Sequence, residues 1–300
     1  MAASPTHVAT LISDAGRPSI PPALLVEAAR ALGRAEQHVL ADGLAADLAF
    51  SGMPPGEGEA ALRHLLSDSP VDIVVQPASR RRKRLFLADM DSTVIEQECI
   101  DELADLVGLK AEVAAITERA MRGEIAFEPA LRERVALLKG LPVEVVDQLL
   151  RDRITLTPGG AMLVATMRAN GAYTCLVSGG FTVFTGPVGH RLGFDEDRAN
   201  RLLIHDGRLL GSVEEPILGR ETKLATLVEL RERLGLARED TLAVGDGAND
   251  LAMLGEAGLG VAFRAKPAVA AAAQARVEHA DLTALLFIQG YTAKEFATLS

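Results

Sequence analysis

Three short apolar runs each stop at a cluster of acidic, hydroxyl or glycine residues, and this pattern constrains the fold more than any other feature of the chain. Leu85–Ala88 (LFLA) leads into Asp89-Met90-Asp91-Ser92-Thr93, and Ala172–Val177 (AYTCLV) into Ser178-Gly179-Gly180. Thr241–Val244 (TLAV) leads into Gly245-Asp246-Gly247-Ala248-Asn249-Asp250, and a further apolar run, Leu259–Ala262, follows. Runs that are apolar throughout read as strands buried on both faces, as in parallel sheets covered by helices. Helical segments at 158–170, 220–234 and 248–257 separate them. In an open parallel sheet, ligands gather beyond the carboxyl ends of the strands. Asp, Gly and Ser are also the ordinary residues of turns and caps, so one such segment alone says little. Three of them at three strand ends point to one functional rim.

The residue types define the chemistry of that rim. On an extended segment Asp89 and Asp91 project to one side while Met90 turns away. One carboxylate can act as a nucleophile and a second can pass a proton to a leaving oxygen. Close carboxylates repel and call for a cation. Asp246 and Asp250 add more carboxylates with no His or Cys beside them, an all-oxygen set that suits Mg²⁺ and disfavours zinc. Ser178, Gly179 and Gly180 offer a hydroxyl and unobstructed backbone N–H groups, which can cradle a phosphate oxygen. Lys223 opens an amphipathic helix, where a cation is unfavourable to the helix dipole and is better explained by facing anions.

The remaining chain supplies the scaffold. Residues 97–156 contain helix-period segments and no clear strand, which reads as a helical insertion after the first core strand. Residues 202–212 suggest a hairpin turning at Asp206-Gly207, and the Ala-rich stretch 268–275 suits a surface helix. Ahead of the core, HVATLIS, the helix from Pro21 to Leu32, two runs around Asp42-Gly43, a helix at 57–66 and VDIVV follow in the order βαββαβ. That order is the ferredoxin-like one. The expected organisation is an α+β unit at 1–79, a linker at 80–84 and an α/β core at 85–300, with its cap at about 97–156. The linker Arg80-Arg81-Arg82-Lys83-Arg84 is expected to stay solvated, because adjacent charges without aromatics usually do.

Composition removes other classes. With 41 acidic against 31 basic residues the net charge is −10, the wrong sign for general nucleic-acid binding. No apolar stretch reaches the roughly 18 residues of a membrane helix. The first residues lack the basic start and apolar segment of a secretory signal. Cys99 and Cys175 make no disulfide framework or zinc spacing. A cytoplasmic protein with no membrane partner is expected.

Taken together, DMDST, SGG, Lys223 and GDGAND resemble, in order, the four motifs of the haloacid dehalogenase superfamily of phosphohydrolases. The flanking segments DMDSTVIEQECIDELADLVG and MRGEIAFEPALRERVALLKGL, with SGGF and GDGANDLAML, resemble its phosphoserine phosphatase branch. The resemblance implies a Rossmann-like core with a helical cap and an ACT-type N-terminal unit. It implies a phosphorylated nucleophile at Asp89 and a general acid and base at Asp91. It also implies Mg²⁺ held by Asp89, the Asp91 carbonyl and Asp246, with Asp250 orienting the water shell. Ser178 and Lys223 would bind the phosphoryl group, with Gly179, Gly180 and Asn249. Glu98 would meet the ammonium and Arg134 the carboxylate of O-phospho-L-serine, while Met121 and Phe127 would close over it.

Each charged part of that substrate would thus have its own countercharge, and a bidentate arginine fixes orientation as well as charge. From the residues alone, Glu98 reads equally as an exposed helix glutamate beside Glu96 and Glu102, and Arg134 as the partner of Glu133. Two other functions remain open on the sequence: a phosphatase or phosphotransferase for another small phosphorylated alcohol, and an amino-acid sensor built on a silent catalytic core. A homodimer is left open as well.

Overall fold

The computed structural model describes residues 5–122 and 124–299, apart from the Met121 side chain. The N-terminal unit runs β1 (His7–Ser13), α1 (Pro22–Ala31), β2 (Glu36–Ala41), β3 (Ala45–Phe50), α2 (Pro55–Leu65) and β4 (Val71–Pro77). Both helices begin with proline in the first turn, where the missing N–H is not needed. Leu25, Ala28 and Ala29 form the buried stripe of α1. Strand order is β2-β3-β1-β4, antiparallel throughout, as the βαββαβ reading predicts. One face of this sheet packs Leu11, Ala46 and Leu48 against Leu32 and Leu62. Ile12, Ala45 and Val74 join a different apolar cluster, together with Phe287 and Ile288.

The core continues with β5 (Leu85–Ala88), then four helices: α3 (Cys99–Leu106), α4 (Lys110–Met121), α5 (Phe127–Leu137) and α6 (Glu144–Asp152). After them come α7 (Gly160–Ala169), β6 (Tyr173–Phe181), α8 (Thr182–Leu192), β7 (Glu196–Asn200) and the hairpin β8 (Leu202–His205)–β9 (Arg208–Val213). The chain then forms α9 (Arg220–Arg233), β10 (Thr241–Gly245), α10 (Leu251–Glu256), β11 (Leu259–Phe263), α11 (Pro267–Ala272), β12 (Ala275–Val277) and α12 (Ala284–Ile288). The sheet order is β12-β11-β10-β5-β6-β7, all parallel. Every residue of β5, β10 and β11 is buried, which explains their uninterrupted apolar sequences. The chain leaves β5 toward β6 on one side and later returns to β10 on the other. That reversal of direction is where such sheets bind ligands.

Two residues of the basic run, Arg81 and Lys83, depart from its expected solvation. Arg81 donates to both oxygens of Asp47 at 2.6 and 2.9 Å, to Thr10 Oγ1 at 3.1 Å, and to the carbonyls of Phe287 and Ile288 at 3.2 and 3.1 Å. Lys83 is buried and donates to the carbonyls of Arg80 and Glu239; burial pushes its pKa down. Arg82 lies over the Tyr291 ring at 4.1 Å. Arg80, Arg82 and Arg84 stay exposed. The desolvation cost of Arg81 is offset by Asp47, a carboxylate on β3 that nothing in the run itself announces.

Candidate active site

The site forms where β5, β6 and β10 end. Asp89 continues the β5 register, its N–H donating to the carbonyl of Val244 on β10 at 3.0 Å. Its Oδ1 accepts from the Met90 amide at 2.7 Å. The chain then tightens: Asp91 is extended and Ser92 is left-handed at φ 52°. This turn aims the Asp91 carboxylate at the tip of β6. Asp91 Oδ1 accepts from the Cys99 amide at 2.9 Å, and Ser178 Oγ lies 3.4 Å from Oδ2. The Gly180 amide donates to Ser178 Oγ at 2.9 Å. A Cβ on Gly180 would stand 3.2 Å from Asp91 Oδ2, so the close approach of β6 to Asp91 depends on glycine.

Lys223 rises from the first turn of α9 into the same place. It is 1% exposed, with Nζ 2.6 Å from Asp89 Oδ2 and 2.7 Å from Asp250 Oδ1. Asp250 is fully buried, and its other oxygen accepts from the Gly247 amide at 3.0 Å. A Cβ on Gly245 would fall 2.3 Å from Asp250 Cγ, so only glycine lets the carboxylate fold back under the strand end. Asp246 faces the cleft, 3.3 Å from Thr93 Oγ1. One oxygen each of Asp89, Asp246 and Asp250 lie within 4.8 Å of one another.

The electrostatics follow from this crowding. Burial pushes Asp89 well up, the Asp250 charge adds to the effect, and Lys223 opposes it. Burial raises Asp91 against the pull of the Cys99 amide. Asp246 is raised by burial and then by Asp250, while Lys223 and Lys266 pull it back. Burial would lower Lys223, but the Asp89 and Asp250 charges outweigh it and hold the ammonium above its ordinary range. Crowded carboxylates of this kind could hold a cation, which would offset their mutual repulsion. An all-oxygen donor set of this kind fits Mg²⁺.

Above this floor the cleft, about 200 Å³, is walled by the helical insertion. Glu98 stands at its edge, still exposed, accepting from Ser92 Oγ at 2.8 Å; desolvation by the cleft around it, then the charges of Asp91 and Asp246, push it up to about 7. Arg134 also lines the cleft, with Nε 3.3 Å from the carbonyl of Ala130. Glu133 turns instead to Arg119 at 2.8 Å, so the Arg134 guanidinium has no ion-pair partner within 4.0 Å among the described residues. Burial lowers its pKa, and Asp101 and Glu98 oppose that. Phe127 leans from α5 onto the core, close enough that a Cβ on Gly179 would lie 3.5 Å from its ring.

Gly179, Gly180, Ser178 and Asn249 complete the lining on the core side. Of the residues expected at the site, only the Met121 side chain lies outside the described residues. The sequence reading missed Thr93, Cys99, Leu131 and Lys266. Lys266 was within reach, since it follows the end of β11 just as the recognised segments follow their strands. Burial and Asp91 raise the Cys99 thiol, which leaves its amide as the useful group.

Residues 86–255, more than half of the chain, match the sequence pattern of the haloacid dehalogenase-like hydrolases. The phosphoserine phosphatase of a Polaromonas species is 49% identical over 208 residues, covering 68% of this chain and 88% of its own. That of Archaeoglobus fulgidus is 46% identical over 217 residues, 72% of this chain; the chain spans 63% of the length of that relative. The crystal structure of a haloacid dehalogenase-family hydrolase from Salmonella enterica serovar Typhi superimposes with a TM-score of 0.83 at 30% identity, over 94% of this chain and 98% of its own. By its sequence and its fold, this chain belongs to the haloacid dehalogenase-like hydrolase family.

Proposed function

We propose that the protein is a phosphoserine phosphatase, which hydrolyses O-phospho-L-serine to serine and inorganic phosphate through a phosphorylated Asp89, as the last step of serine biosynthesis. One observation carries the substrate assignment: Glu98 and the unpaired Arg134 face a phosphate-directed floor across the same small cleft. The substrate has an ammonium, a carboxylate and a phosphate to set against them. A sugar phosphate would leave the half-buried Arg134 without a carboxylate.

Each step is assigned to residues of the chain. The Asp89 carboxylate attacks phosphorus as the bond to the serine oxygen breaks. Asp91, whose raised pKa suits it to carrying a proton, donates that proton to the departing alkoxide. It then takes a proton from the water that attacks the aspartyl phosphate, and cleavage of that bond frees Asp89 and inorganic phosphate. Ser178 Oγ and the Gly179 and Gly180 amides hold phosphoryl oxygens, with Asn249 beside them. Lys223 keeps Asp89 oriented and offers its charge to the transferring group. Phe127 closes the cleft against water; Met121, its expected companion, has its side chain outside the described residues. Asp89, Asp246 and the Asp91 carbonyl would hold Mg²⁺, with Asp250 orienting its water shell; the ion would neutralise the crowded carboxylates and the charge on the phosphoryl oxygens.

The reading includes a cytoplasmic enzyme with no nucleic-acid or membrane partner, and a homodimer that sedimentation can test. Phosphate release from O-phospho-L-serine, compared with O-phosphothreonine and sugar phosphates with and without Mg²⁺, tests the assignment. Metal-dependent release with a strong preference for phosphoserine supports it; equal rates on sugar phosphates reject it.

A further inference from the structure

Lys266 lies at the mouth of the cleft, on the turn that follows β11. It is exposed, lines the cleft beside Asp246 and Asn249, and has no ion-pair partner within 4.0 Å among the described residues. The other cleft cations are placed differently. Lys223 is sealed between Asp89 and Asp250, and Arg134 is a half-buried residue of the helical insertion.

The turn itself is shaped to put a lysine there. Arg264 takes a left-handed φ of 44°, a conformation costly to any residue but glycine. Its guanidinium is tied to the Ala280 carbonyl at 3.2 Å. Pro267 then restricts Lys266 to extended backbone, with φ −58° and ψ 145°. Backbone strain of this sort gathers at functional sites.

A phosphate dianion approaching the floor meets the carboxylates of Asp89, Asp91 and Asp246 before it reaches the buried ammonium of Lys223. A bound divalent ion would neutralise part of that charge at the bottom of the cleft, not at its mouth. We propose that Lys266 is a steering residue, whose ammonium draws the phosphate end of the substrate through the mouth and by the same attraction retards the departure of inorganic phosphate. The inference rests on the phosphatase reading above and extends it to a residue outside the four recognised segments.

The test compares the Mg²⁺-loaded wild type with Lys266→Met, which keeps length and removes charge, and Lys266→Arg, which keeps charge. Phosphate release from O-phospho-L-serine is followed from low salt to about 0.5 M NaCl, where screening reaches only a few Å. Lys266→Met should raise KM about five-fold at low salt, the effect of one charge at close range in water-like surroundings. The larger change should fall on KM rather than kcat, the gap should close at high salt, and Lys266→Arg should restore the wild-type value. An unchanged KM across the salt range overturns the inference. So does a loss in kcat that salt leaves alone and arginine does not repair, since that would mark a structural role. If the wild type releases no phosphate from phosphoserine, the function assignment fails separately. Calorimetric binding of inorganic phosphate to the same three Mg²⁺-loaded proteins then decides the Lys266 inference, which requires several-fold weaker binding in Lys266→Met.

Discussion

The Lys223 ammonium lies 2.7 Å from the Asp250 carboxylate, and both side chains are sealed from solvent. The same ammonium is 2.6 Å from Asp89, so one cation balances two buried anions. Removing one partner of a buried ion pair leaves charge without compensation, at a cost of about 3–5 kcal/mol. Lys223→Met should therefore lower stability in urea by about that much without metal, and should cut kcat by ~10²–10³-fold. Mg²⁺ should raise the melting temperature of the variant more than that of the wild type, because it supplies the missing charge beside Asp89. Lys223→Arg should not rescue activity, since a 1% exposed site leaves little room for a guanidinium.

That cluster also shows what was legible in the sequence. Asp89, Ser178 and Asp246 could be found because β5, β6 and β10 are buried on both faces and lose their apolar character abruptly at one rim. The βαββαβ order was readable for a similar reason, as Asp42-Gly43 and the leading prolines mark its turns and helix starts. The Arg80–Arg84 run was misleading at Arg81 and Lys83. Its solvation depended on Asp47, Thr10 and the carbonyls at 287 and 288, all remote in sequence. Glu98 precedes α3 and Arg134 lies on α5, and periodicity does not reveal which way either faces; without the family likeness each had an ordinary surface reading.

Glu98 gives a pH prediction. Its carboxyl is pushed up to about 7, first by desolvation and then by Asp91 and Asp246. Below its pKa it is neutral and cannot neutralise a substrate ammonium, so kcat/KM should rise with pH through the midpoint and then level off. A bound cation would weaken the contributions of Asp91 and Asp246 but not that of desolvation. The midpoint should therefore fall between the ordinary glutamate value and about 7. Glu98→Gln should lose this limb and raise KM more than it lowers kcat. A pH profile of kcat/KM for both proteins, with Mg²⁺ saturating, checks this.

Gly180 sets the spacing of the phosphate cradle. An added Cβ would stand 3.1 Å from Ser178 Oγ and 3.2 Å from Asp91 Oδ2, so those groups would have to move by a few tenths of an ångström. Misplacing reacting groups by about 1 Å can cost ~10²-fold, and the smaller shift here should lower kcat about ten-fold. Gly180 is not at positive φ, so Gly180→Ala should fold normally. Thermal melting measured alongside phosphate release would show lost turnover at nearly constant stability.

Asp72 supplies the corresponding test of how the N-terminal sheet is fastened. It sits on β4, 4% exposed, and accepts from the amides of Glu278, Ala280 and His279 at 2.7, 2.9 and 3.2 Å. Those amides follow the edge strand β12, so a single carboxylate ties the edge of one sheet to the segment leaving the other. Asp72→Ala would strip the acceptors from three amides, of which only that of Ala280 is on a buried residue; a buried donor left unsatisfied costs about 1–3 kcal/mol, and water can reach the other two, for a total of roughly 2–4 kcal/mol. Asp72→Asn should cost less, since it keeps one acceptor oxygen but turns an NH₂ toward an amide donor. Arg81 would still join Asp47 to the carbonyls at 287 and 288, so the alanine variant should loosen the sheet rather than release it. Urea unfolding followed by far-ultraviolet circular dichroism and by phosphate release should remain coincident in the wild type. In Asp72→Ala the dichroism transition should begin at lower urea while activity persists, because Asp72 touches none of the residues that line the cleft. Coincident transitions at the wild-type midpoint would show that these three hydrogen bonds contribute nothing to holding the two sheets together.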